Sequence, residues 1–222
     1  MSELATIRAA LSERIRQAAP ERPVAVLAVS KTRSAAELRA LAALGQRAFG
    51  ENYVQEAVAK KAELTELALE WHLIGHLQSN KARDAAAAFD WVQSVDRIKL
   101  VSELARHRSS DMPPLNVLVQ VNIDDEASKH GCRPDEAFAL AAAIDAEPRL
   151  ALRGLMAIPA PDPDMQRRLN AFRALKHLYD ELAARHQHID TLSMGMSEDF
   201  ELAIAEGATM VRIGTALFGA RS

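Results

Sequence analysis

Val24-Ala-Val-Leu-Ala-Val-Ser-Lys31 is an unbroken run of seven apolar or small residues that stops on an ammonium group, with Pro23 before it and Thr32 after it. A short continuous run of this kind reads as a strand buried on both faces, the kind that parallel sheets use. Parallel α/β folds place their ligands at the carboxyl ends of the strands, so Lys31 stands where such folds carry chemistry. The plain alternative is a strand-end lysine that reaches out to solvent, because lysine is almost never fully buried.

Outward from this strand the pattern repeats. Residues 4–18 place Leu4, Ile7, Leu11 and Ile15 at helical spacing, with Arg8, Glu13, Arg14 and Arg16 between them. On the other side, Ser34-Ala-Ala-Glu37 forms a capping box, Leu38, Leu41 and Leu44 follow, and Gly45 closes the helix. Further strands are read over 47–50, 71–74, 91–94, 115–121, 152–157, 189–193 and 210–213. Helices are read between them: over 51–67, from Lys81, after a cap at Asp96, from Pro134, along the segment carrying Leu169, Phe172, Leu175 and Leu182, and over 197–206.

Eight strands alternating with helices, without a break in composition, predict an α/β chain folded as a single (β/α)8 TIM barrel over 1–222 with an extra N-terminal helix. An open doubly wound sheet is the alternative. Even spacing of the strands, and the lack of a Gly-x-Gly-x-x-Gly turn after the first, favour closure. So little follows the eighth strand that the N-terminal helix is expected to cover the place of a final helix.

Of the 222 residues 49% are hydrophobic and 26% charged, enough apolar surface for one large core. Net charge is -3 and no segment concentrates Lys or Arg, which argues against nucleic acid as a partner. Cys132 is the single cysteine, so no intrachain disulfide forms, and Met1-Ser2-Glu3-Leu4 carries no signal pattern. No apolar stretch approaches the roughly 20 residues needed to cross a bilayer. The expectation is a cytoplasmic protein without a membrane partner, and polar helix faces suggest a monomer.

Ligand-type residues gather after the strands: Lys31 and Thr32, Glu51 and Asn52, Gly75, Gln78 and Asn80, Met156 and Pro159, residues 193–197, and Arg212, Gly214 and Thr215. Loops everywhere are rich in such residues, so the clustering alone decides little. His72 and His76 have the spacing of a zinc helix, but Gly75 and the strand context break the shared face, so no metal site is expected. His72 reads as a core histidine or a wall of the pocket.

Six separated stretches, Ala28-Val-Ser-Lys-Thr32, Phe49-Gly-Glu-Asn-Tyr53, Trp71-His-Leu-Ile-Gly75 with Leu77-Gln-Ser-Asn-Lys81, Gly154-Leu-Met156, Leu192-Ser-Met-Gly-Met-Ser197 and Val211-Arg-Ile-Gly-Thr215 with Phe218-Gly219, resemble the YggS/PROSC family of pyridoxal 5′-phosphate-binding homeostasis proteins. The resemblance implies a barrel like the N-terminal domain of alanine racemase, with pyridoxal 5′-phosphate held as an aldimine by Lys31. It implies a phosphate site at Ser197, Gly214 and Thr215, Arg212 facing the pyridine nitrogen, and Asn52 beside the ring. Lys129 and Gly131 resemble a further family motif.

The chemistry agrees with these assignments. An amine that condenses with an aldehyde must first lose its proton, and burial lowers a lysine pKa in that direction. Phosphate calls for backbone N–H groups and hydroxyls, and glycine permits close approach. Ser197, followed by Glu198 and Asp199, reads equally as a helix N-cap, and Asn52 as the cap of the helix after the second strand. A guanidinium offers only donors, so a ring nitrogen facing Arg212 stays an unprotonated acceptor and the ring a poor electron sink. The alternative for Arg212 is a carboxylate partner at the barrel mouth.

The family resemblance implies a carrier or buffer of the cofactor, serving pyridoxal phosphate-dependent apo-enzymes without robust catalysis. A racemase is the alternative, and it needs a second acid or base across the substrate from the lysine. Alanine racemase-like enzymes take a tyrosine for this from an extra domain and a dimer partner, for which this chain has no room. The two tyrosines are Tyr53, just after the second strand, and Tyr179, within a long helix, and Cys132 is the one thiol, so no positioned second base is expected. A barrel aldolase that uses its lysine on a sugar phosphate is a third reading, and it predicts a colourless protein.

Overall fold

In the computed structural model, which describes residues 2–124, 130–159 and 163–219, eight parallel strands pair in sequence order and close on themselves. They are β1 (Ala25–Val29), β2 (Ala48–Glu51), β3 (Glu70–Leu73), β4 (Trp91–Val95), β5 (Leu115–Gln120), β6 (Leu150–Met156), β7 (Thr191–Ser193) and β8 (Met210–Ile213). Closure runs through β1, which sets Val29 opposite Gly50 of β2 and Leu27 opposite Arg212 of β8. Helix α1 (Glu3–Ala18) precedes the barrel. Around it lie α2 (Ala35–Ala43), α3 (Val54–Glu63), α4 (Ala82–Ala88), α5 (Ile98–His107), α6 (Ala137–Asp145), α7 (Met165–Ala183), α8 (Phe200–Ala205) and α9 (Thr215–Phe218).

Side chains alternate across each strand, so the barrel has two interiors. Ala28, Phe49, Trp71, Leu73, Val117 and Val211 point outward and join Leu38, Leu104, Phe172 and Phe200 of the helices in one apolar layer. Toward the lumen lie Leu27, Ile74 and Met210, and separately Trp91, Leu118 and Met156. Polar His72, Gln93, Ser193 and Arg212 are buried alongside these lumen residues.

Helix α1 does the work of a closing helix. The Ser2 hydroxyl accepts from the Ala5 N–H, and Leu11 and Ile15 are buried where α1 packs on α8 and α9. Burying two such side chains contributes about 3–6 kcal/mol of apolar transfer. Arg14 pins the contact from outside, paired with Glu201 and lying 4.6 Å from the Phe200 ring centre. The four-residue α9 leaves this face to it.

Four helix starts differ from the sequence reading, and in one of them Pro134–Glu136 form a 3₁₀ turn so that α6 begins at Ala137. Helix α3 begins at Val54 and ends at Glu63, because Glu51 is the last residue of β2. The Asp96 carboxylate pairs with Arg97 at 2.5 Å instead of capping α5, whose cap position is Arg97. Helix α8 begins at Phe200, since the Asp199 carboxylate turns back to accept the Met196 N–H at 2.7 Å. Lys129 and residues 160–162 lie outside the described residues. Among the described residues, no helix is long and apolar enough to cross a membrane.

Candidate functional site

A cavity of about 990 Å³ opens at the carboxyl ends of the strands, and Lys31, Asn52, Ser197, Arg212, Gly214 and Thr215 all line it. Each comes from a different local cause.

Lys31 leaves the end of β1 on a turn that is clamped from below. The Lys60 ammonium donates to the Ser30 carbonyl at 2.6 Å and to one carboxylate oxygen each of Glu51 and Glu56 at 2.7 Å. The Ser30 hydroxyl donates to Glu51 at 2.6 Å, and the Thr32 N–H donates to Glu56. Thr32 adopts φ +64°, the left-handed region that a β-branched residue avoids. Glu51, read from sequence as a ligand-type residue, is fully buried and belongs to this clamp. Burial raises its pKa above the ordinary range, against the hydrogen bonds from Lys60 and Ser30. Sequence reading missed the clamp, although Glu56 and Lys60 stand four apart on α3, the spacing of a helical ion pair.

Asn52 follows β2 and caps no helix, for the cap position of α3 is Tyr53 and carries no side-chain bond. Its backbone is in contact with the end of β3. A Cβ on Gly75 would lie 2.2 Å from the Asn52 carbonyl oxygen, so only glycine fits there.

Ser197 also caps no helix of its own loop. Its hydroxyl oxygen accepts from the N–H groups of Gly214 and Ala216, both at 3.3 Å, and so joins the β7 loop to the first turn of α9. The nearest neighbour of a Cβ on Gly214 would be Val29, at 3.5 Å, an ordinary contact, so packing does not demand glycine at that place.

Arg212 is 3% exposed. One terminal nitrogen donates to the Ser193 hydroxyl at 2.8 Å and the other to the Ala157 carbonyl at 2.7 Å. Among the described residues no carboxylate forms an ion pair with it, so the alternative raised from sequence is not realised. Burial pulls its pKa down to about 10, with Asp199 opposing, and it stays charged near neutral pH.

At the mouth, His76 and His130 stack with ring centres 3.8 Å apart. With Asp96 they bring three ligand atoms within 4.8 Å of one another. The rings lie nearly parallel, so their in-plane lone pairs run side by side and do not converge on one ion. His72 is buried inside the barrel, away from this cluster. Tyr53 is 65% exposed, Tyr179 lies on α7 and Cys132 is buried, and none of the three lines the cavity.

The cavity thus presents a primary amine, a fixed cation that only donates, and a hydroxyl resting on backbone N–H groups. That donor set suits a small ring bearing an electrophilic carbon, an acceptor nitrogen and an anionic arm.

Residues 4–222 match the alanine racemase N-terminal domain family. A protein of Pseudomonas aeruginosa named pyridoxal phosphate homeostasis protein is 52% identical over 226 residues, covering 100% of this chain and 97% of its own. The Escherichia coli K12 protein of the same name is 52% identical over 201 residues, covering 89% and 86%. PipY of Synechococcus elongatus without PLP is similar at TM-score 0.90 and 39% identity, and with PLP bound at 0.86 and 38%. Both cover 98% of this chain and 100% of that one.

Proposed function

The chain belongs to the alanine racemase N-terminal domain family and to its pyridoxal phosphate homeostasis proteins, and from that premise we propose that it binds pyridoxal 5′-phosphate at the barrel mouth and serves as a carrier or buffer of it. The observation that carries this reading is the single cavity lined at once by Lys31, Asn52, Ser197, Arg212, Gly214 and Thr215.

When bound, pyridoxal 5′-phosphate supplies an aldehyde that condenses with a primary amine with loss of water. Lys31 presents that amine. Arg212 would offer the ring nitrogen an N–H and, as a group that cannot accept, would favour its unprotonated form. Ser197, Gly214 and Thr215 would hold the phosphate, and Asn52 would stand beside the ring. A ring held in this way withdraws electrons weakly, which favours keeping the cofactor over transforming amino acids. The whole of 1–222 acts as one binding unit, a cytoplasmic monomer that passes the cofactor to pyridoxal phosphate-dependent apo-enzymes.

The stacked pair His76 and His130 favours a second reading, proton exchange on an amino acid, because two imidazoles stand at the cavity mouth. Tyr53, Tyr179 and Cys132 give that reading no support from their positions.

Purified protein should be yellow, and borohydride followed by mass spectrometry should find a pyridoxyl adduct on Lys31 that is lost in Lys31→Ala. A colourless protein, or an adduct on another residue, would count against the assignment. Robust D/L interconversion of alanine or serine, abolished in Lys31→Ala, would replace the carrier with a racemase.

A further inference from the structure

We propose that Ser193, Gln93 and His72 are positioning residues for Arg212, acting through a hydrogen-bonded chain that crosses the barrel interior with the place of every proton fixed. The proposal rests on the reading of Arg212 as the group that meets the ring nitrogen.

Four strands contribute one link each. Arg212 of β8 donates to the Ser193 hydroxyl of β7 at 2.8 Å, and that hydroxyl donates to the Gln93 carbonyl oxygen of β4 at 2.7 Å. The Gln93 amide nitrogen lies 3.0 Å from His72 Nδ1 of β3, and His72 Nε2 lies 2.7 Å from a Glu70 carboxylate oxygen. Ser193, Gln93 and His72 are each 0% exposed, so water cannot stand in for a missing partner. Glu70, at the opposite end of the barrel, has a side chain 47% exposed.

The order of protons follows from the first member. A guanidinium cannot accept, so Ser193 must accept from it and has one proton left to give, which goes to the Gln93 oxygen. Gln93 then turns its amide toward His72, with Met210 Sδ also 3.2 Å from that nitrogen. His72 Nδ1 must therefore be bare, and the imidazole proton sits on Nε2, facing Glu70.

Turning Gln93 over would leave the Ser193 proton without an acceptor. It would also set a bare Nε2 against the Glu70 carboxylate, or require a buried imidazolium. Stacking of His72 on Trp91, with centres 5.1 Å apart and planes 10° apart, holds the ring in the plane that the chain needs. Glu70 and Asp90 are the acidic groups that act on His72, Arg153 acts on Glu70, and Asp199 acts on Arg212.

The consequence lies at the mouth. Ser193 and the Ala157 carbonyl each take one N–H, from different terminal nitrogens of Arg212, which fixes the plane of the guanidinium where it lines the cavity.

Two measurements test this. In ligand-free protein with ¹⁵N-labelled histidine, NMR at pH 7 should find His72 neutral with its proton on Nε2; a proton on Nδ1, or an imidazolium, overturns the chain whatever the site binds. With pyridoxal 5′-phosphate, His72→Phe and Gln93→Leu should each weaken binding about tenfold, the effect of one lost buried partner. They should also move the pH midpoint of the bound chromophore's absorbance.

His72→Gln, which can accept at one atom and donate at the other, should restore most of both. Folded His72→Phe or Gln93→Leu protein with wild-type affinity and an unmoved absorbance profile overturns the positioning role. Wild-type protein that fails to bind the cofactor overturns the proposed function and this role with it, while the tautomer measurement still decides the chain.

Discussion

The Lys60 ammonium lies 2.6 Å from the Ser30 carbonyl oxygen and so ties helix α3 to the strand end from which Lys31 departs. The same ammonium holds Glu51, whose carboxylate has no exposure to water. Removing one partner of a buried ion pair leaves a charge that nothing compensates, at a cost of about 3–5 kcal/mol. Lys60→Met should accordingly lower the melting temperature by on the order of 10 °C. Adding Glu51→Gln should recover part of that loss, because it removes the stranded charge. A melting temperature within about 2 °C of wild type for Lys60→Met would mean that the clamp contributes little.

Thr32 holds a left-handed backbone one residue after Lys31, at φ +64°. A β-branched side chain in that region stores about 1–3 kcal/mol, and glycine does not. Thr32→Gly removes the strain but adds freedom to the unfolded chain, so the net gain should be about 1 kcal/mol and the melting temperature should rise by roughly 2–4 °C. The freed turn should present Lys31 less firmly, and the yield of borohydride-fixed adduct at limiting cofactor should fall. A lower melting temperature would show that the Thr32 side chain contributes contacts worth more than the strain.

The barrel was legible because apolar runs such as Val24–Val29 and helix caps such as Ser34 with Glu37 are local signals, and the structure keeps the capping box. The lining residues were legible through family motifs, five of which meet in one cavity, while the Gly154-Leu-Met156 motif lies outside its lining. What holds them was not. Glu51 and Lys60 are nine residues apart, Ser193 and Gln93 a hundred, and their meeting depends on closure and register, which no local pattern encodes. Helix starts at Asp96 and Ser197 were misread for a related reason. An acid or a serine before a helix has several partners within reach, and here Arg97 and the α9 amides take them.

Burial holds the pKa of His72 below its ordinary value of 6.5, against the pull of Glu70 and then Asp90. Just below pH 6.5 the unfolded chain therefore binds a proton at this residue that the folded chain refuses. Stability that is complete above pH 6.5 is lost as the pH falls beneath it, by at most about 1.4 kcal/mol per pH unit from one group. Urea midpoints at pH 7.5, 6.5 and 5.5 should show a smaller acid loss in His72→Gln than in wild type. Burial, and then His130, also lower the pKa of His76, so the diagnostic quantity is the difference between the two proteins. Parallel slopes would show that His72 titrates alike in the folded and unfolded chains.

Cys132 is buried and its thiol is pushed up to about 12, first by burial and then by Glu136. The thiolate is the reactive form, so the native protein should resist a disulfide reagent near neutral pH and react fully in urea. Rapid labelling of native protein would show that the segment around Cys132 opens far more readily than the rest of the barrel.

Ser197 accepts two long hydrogen bonds from the first turn of α9, and in the proposed function its hydroxyl also donates to phosphate. Losing the hydroxyl should cost stability about 0.5–1.5 kcal/mol, a fall in melting temperature of a few degrees. The ligand comparison is sharper. Ser197→Ala should weaken pyridoxal 5′-phosphate about tenfold, the worth of one charge-assisted hydrogen bond, and leave pyridoxal, which lacks the phosphate, unchanged. Both affinities are read from the same absorbance titration. Equal weakening of the two ligands would mean that the hydroxyl shapes the β7 loop without touching phosphate, and the anionic arm would then have to be held by Gly214 and Thr215 without it.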